Sequence, residues 1–113
     1  MADRISYQHA SLAAGRWQTL TLAEQLANVG SEVARARRWH DQDPHLCSQA
    51  FARALELLDL TIGDPRWKGR RKELARAREF VCDAMLGGDA YGSDLEGLDR
   101  YFYAFAVAAR AHR

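Results

Sequence analysis

Four times along this chain a helix-start signal precedes apolar residues spaced three and four apart, a pattern that leaves few folds open. Thr21-Leu22-Ala23-Glu24 has the form of a capping box, in which hydroxyl and carboxylate satisfy orphan amide groups reciprocally. Leu22, Leu26, Val29, Val33 and Ala36 then keep to one face, predicting a first helix over 21–39. Asp43-Pro44 opens a second over 44–62, a carboxylate cap followed by proline where its missing N–H costs nothing. Phe51, Leu55, Leu58 and Ile62 form its seam, and Gly63 ends it. Asp64-Pro65 repeats the signal, with Leu74, Ala77, Val81 and Ala84 as the stripe and Gly87-Gly88 as the stop. Gly69 weakens this third start by about 1 kcal/mol relative to alanine, so the regular helix is expected only from Arg70. Ser93-Asp94-Leu95-Glu96 is another capping box, and Leu95, Leu98, Phe102, Phe105 and Ala109 carry the fourth helix from about 94 towards the C-terminus.

Twenty alanines and 13 leucines against nine Val, Ile and Thr together favour helix over strand. The 113 residues suit one domain, and short helix–helix links favour antiparallel neighbours. The expected fold is therefore all-α: an antiparallel up-down four-helix bundle over 19–113, with an N-terminal arm over 1–18 carrying Ile5, Tyr7, Leu12 and Trp17. Apolar residues at 48% and charged residues at 27% exclude a wholly disordered chain. No apolar run has membrane-spanning length, and Met1-Ala2-Asp3-Arg4-Ile5-Ser6 does not read as a secretory leader. Cys47 and Cys82 form neither a disulfide framework nor a zinc motif, so a cytoplasmic, reduced setting is expected.

Charge placement is the first sign of function. Within residues 66–78, Arg66, Lys68, Arg70, Arg71, Lys72, Arg76 and Arg78 face only Glu73, a local +6 in a chain of net +1. Cations at a helix start oppose the macrodipole, at a few tenths to about 1 kcal/mol each. Fourteen of the 16 basic residues are arginine, the side chain that forks onto phosphate or carboxylate. An anionic partner is one reading: RNA or DNA, or an acidic protein. The other is a solvated face neutralised locally by Asp59, Asp64 and Glu73. Arg110 and Arg113, with Arg16, are expected at the same pole. Trp67, amid these cations, reads as a lid on the core or as a ring that stacks on a base or on an arginine.

The fourth helix is the second sign. With Leu95, Leu98, Phe102 and Phe105 facing inward, Glu96, Arg100, Tyr103, Val107 and Arg110 lie on another face, and Tyr101 widens the apolar sector. The first helix carries a small-residue stripe, Ala23, Ala27, Gly30 and Ala34. Either these residues thicken one core, or Tyr101, Tyr103, Val107 and the small stripe form a homo-oligomer interface.

No catalytic, metal or cofactor motif emerges. His9, His40, His45 and His112 are scattered, and no phosphate-cradling glycine loop is present. The spacing R-x4-H occurs at Arg35/His40 and Arg4/His9, as in helical HEPN-type ribonucleases, but Ala36 and Ile5 replace the polar residue usual after that arginine.

The strings Leu22-Ala23-Glu24-Gln25-Leu26-Ala27-Asn28-Val29-Gly30-Ser31-Glu32 and Asp64-Pro65-Arg66-Trp67 carry a resemblance to small bacterial four-helix-bundle proteins. These are the rRNA-intervening-sequence proteins and the accessory variability determinant (Avd) of diversity-generating retroelements. The resemblance spans about residues 20–112 and includes the chain length and the aromatic fourth helix. It implies a non-enzymatic oligomer, ring-like in the Avd case, that binds nucleic acid and a reverse transcriptase. The expected function is therefore an oligomeric bundle that holds nucleic acid, or an enzyme acting on it, without cofactor or metal. Its contacts would be Arg66, Lys68, Arg70, Arg71, Lys72, Arg76, Arg78 and Arg110. The alternatives are an adaptor or antitoxin-like module docking an acidic partner and, third, a HEPN-like ribonuclease.

Overall fold

The computed structural model describes residues 15–87 and 94–111. The expected arm residues Ile5, Tyr7 and Leu12, with Arg4, His9, Ser93, His112 and Arg113, lie outside them. Among the described residues are four α-helices and no strand: α1 (Leu22–Trp39), α2 (Pro44–Ile62), α3 (Arg71–Met85) and α4 (Leu95–Ala111). They form the expected antiparallel bundle.

The start signals act as capping chemistry requires. Thr21 Oγ1 accepts from Glu24 N at 3.1 Å while Glu24 Oε1 accepts from Thr21 N at 2.8 Å. Asp43 Oδ1 accepts from the amides of His45 and Leu46. The third start differs from a simple helix: Pro65–Arg70 is a 3₁₀ segment, and Trp67 leaves helical geometry at φ −104, ψ 22. The α-helical hydrogen bonding of α3 begins at Arg71, past Gly69, which has no side chain to hold the first turn. At the fourth start, Asp94 Oδ1 accepts from Gly97 N at 2.6 Å and caps the helix. Glu96 pairs with Arg100, and the box expected between Ser93 and Glu96 rests on a residue outside the described ones.

α1 is the hub. It packs along α2 and α4, α3 leans on α2, and α3 meets α4 only lightly. Val29, Val33, Ala36, Ala50, Ala54, Leu58 and Val81 are fully enclosed. Trp17, assigned by sequence to the arm, sits in a 3₁₀ turn and belongs to the core at 1% exposure. From α4 only Leu98 and Phe102 are buried; the expected core residues Leu95, Phe105 and Ala109 stay partly exposed.

Gly30 has a packing role inside the subunit. It is buried inside the subunit, where a Cβ would fall 2.7 Å from Phe102 Cβ. It lets α4 approach α1 closely, and it also lines the groove between those two helices. Gly30→Ala should therefore destabilise the fold by about 1–3 kcal/mol through overpacking, despite alanine's higher helix propensity. Urea unfolding checks this, and a gain in stability contradicts the close approach.

Candidate nucleic-acid interface

The corner between α2 and α3 sorts the cations. Asp64, 1% exposed, caps the 3₁₀ segment through Arg66 N and receives the Arg66 guanidinium at 2.7 Å. Gln25 Nε2, from α1, donates to Asp64 Oδ2 at 3.0 Å and to Trp17 O at 2.8 Å. Gln25 Oε1 accepts from Trp67 Nε1 at 2.8 Å. Arg66 also reaches Leu20 O and lies over the Trp67 ring at 4.4 Å. Trp67 is thus a half-buried lid tied to α1. One buried carboxylate and one buried amide join the entry to α1, the end of α2 and the approach to α3.

Sequence reasoning missed Gln25, although a signal was available. It falls between Leu22 and Val29 on the three-and-four spacing of the core stripe, so a buried polar side chain with partners was to be expected there.

The three carboxylates required by a self-neutralised face each hold one arginine. Asp64 holds Arg66, Glu73 holds Arg70 at 2.8 Å, and Asp59 holds Arg78 at 2.8 Å. These pairs are not equal. Asp64 is enclosed, and breaking its bond strands a buried charge. The side chains of Arg70–Glu73 are 53% and 68% exposed and those of Arg78–Asp59 are 40% and 57%, a class worth about 0–1 kcal/mol. Either arginine can exchange its carboxylate for a phosphate at little cost, whereas Arg66 is structural. Arg71 Nε donates to Ile62 O, capping the end of α2.

Lys68, Lys72 and Arg76 have no carboxylate partner among the described residues, and all three are exposed. Arg76 only approaches the Phe80 ring, at 6.0 Å. Lys72 and Arg76 stand one turn apart on the side of α3 away from Leu74, Ala77 and Val81. With Lys68 they form an outward cationic ridge. Arg110 is not part of it; it lies against Tyr103 on α4.

On α4, Tyr101, Tyr103 and Val107 are exposed. Tyr101 neighbours the start of α3: burial pushes its hydroxyl up, Glu73 adds to the rise and Arg70 opposes it. Along the α1 stripe, Ala23 and Ala27 are half-buried and Ala34 is exposed. Arg35 pairs with Glu32 at 2.9 Å and His40 with Asp41 at 3.1 Å. Among the described residues no group of three or more His, Cys, Asp or Glu could hold a metal, and no helix is long and apolar enough to cross a membrane.

Arg66 and Gln25 hold the Asp64 carboxyl at about 2, against an ordinary 3.8, although burial works the other way. The folded value is depressed, so its stabilisation is complete above about pH 4 and is lost as pH falls towards 2, some 2 kcal/mol in all. Asp64→Asn keeps a capping oxygen and should cost about 2 kcal/mol at pH 6, with the gap to wild type closing near pH 2. Denaturant unfolding at both pH values checks this, and an equal gap at both contradicts it.

No family model, curated protein or solved structure matches this chain.

Proposed function

We propose that this chain is a non-enzymatic helical-bundle protein that holds the phosphate backbone of RNA or DNA on the outward ridge of α3. The observation that carries the reading is the trio Lys68, Lys72 and Arg76, exposed and without a carboxylate partner among the described residues, with Lys72 in the first turn of α3, where a cation opposes the helix dipole. Arg70 and Arg78 flank the ridge in weak, exposed ion pairs and join it once phosphate competes for them. Such a surface positions a backbone without reading bases. The resemblance to Avd-type bundles supports the same reading and adds a nucleic-acid-processing enzyme, such as a reverse transcriptase, as a second partner.

One observation favours an adaptor that docks an acidic protein: Arg70 and Arg78 already hold carboxylates. Salt dependence and nuclease separate the two. A backbone complex shows a linear fall of log affinity with log salt and disappears on nuclease treatment, while a protein complex survives it.

The triple variant Lys68→Glu, Lys72→Glu, Arg76→Glu should keep the helical circular dichroism of the parent. It should lose most affinity for a single-stranded RNA or DNA oligonucleotide and flatten the salt slope by about 2, at 0.7 per phosphate contact. Fluorescence anisotropy in a salt series measures both, and unchanged affinity and slope overturn the assignment.

A further inference from the structure

α4 carries two stripes. Leu98 and Phe102 face inward, while Glu96, Arg100, Tyr103, Val107 and Arg110 repeat at four-three spacing and are all exposed. From Tyr103 to Ala111 no side chain is buried, although the segment is apolar except for Arg110. A helix end of this composition normally packs against something. Beside Tyr103 a groove of about 230 Å³ runs between α1 and α4, lined by small residues that include Ala27, Gly30, Ala34 and Ala106.

The charges along the outer stripe indicate what fills the groove. Glu96 lies seven residues before Tyr103 and Arg110 seven after it, about 10 Å of helix each way. A second α4 laid antiparallel, with the two-fold axis at Tyr103, sets Glu96 against the partner's Arg110, and the symmetry repeats the pair. A parallel alignment sets Glu96 against Glu96 and Arg110 against Arg110, which repel. Among the described residues Glu96 pairs with Arg100, at side chains 64% and 70% exposed, and Arg110 touches Tyr103 at 3.5 Å. Both ends are available to exchange partners.

We infer that a second copy of this chain docks antiparallel along the outer stripe of α4, with Tyr103 at the two-fold axis entering the groove over Ala27 and Ala34. The inference uses none of the cations of α3, so it stands or falls apart from the nucleic-acid reading.

Sedimentation equilibrium of the full chain from micromolar to sub-millimolar concentration tests it. Wild type should reach twice its 12.7 kDa mass. Tyr103→Glu, at an exposed position that leaves the fold intact by circular dichroism, should weaken the dimer at least about 30-fold. Glu96→Arg and Arg110→Glu should each weaken it, and the two together should restore it. A wild type of 12.7 kDa at every concentration overturns the inference. So does a Tyr103→Glu dimer as tight as wild type, or a double charge swap no tighter than either single one.

Discussion

The enclosed carboxylate of Asp64 organises the corner on which the cationic surface is built. A carboxylate at 1% exposure needs a cation and hydrogen bonds around it, and Arg66, Gln25 and the Arg66 amide supply them. Meeting that demand ties α1 to the 3₁₀ segment through Gln25 and Trp67. It also removes Arg66 from the cations able to face a partner. The 3₁₀ segment delays the start of α3 to Arg71, and Lys68, Lys72 and Arg76 come out on the solvent side. One local electrostatic requirement thus separates the structural arginine from the cations left over.

The helices were legible because their signals are local. Thr21, Asp43 and Asp64 act within three residues of themselves, and the apolar spacing of α1 and α2 reports a face whatever packs on it. What escaped depends on contacts between distant parts of the chain. The role of Gly30 is visible only once Phe102 lies over it, 72 positions away. Gln25 and Asp64 are 39 apart, and the core spacing that turns Gln25 inward does not say which group meets it. The same holds for the cationic window: its charge is read by counting, but whether Asp59 reaches Arg78 depends on how α2 and α3 pack.

The two outward surfaces use different physics. The ridge of α3 is charged, exposed and weakly paired, suited to a salt-sensitive contact made and broken quickly. The outer stripe of α4 is apolar at its centre and oppositely charged at its ends, suited to a contact of fixed register. A single chain of net +1 holds a polyanion poorly. The proposed pairing through α4 would double the ridge without any new cation, and two linked ridges would bind one strand more tightly than either alone.

The chain contains two lysines, Lys68 and Lys72, and both stand on the ridge. Brief acetylation of the full chain with and without a single-stranded RNA oligonucleotide, followed by mass spectrometry of the modified peptides, therefore reads that surface directly. The account predicts that RNA slows labelling of both lysines at low salt and that the protection disappears as salt rises. Equal labelling with and without RNA, under conditions where the two are shown to associate, contradicts it.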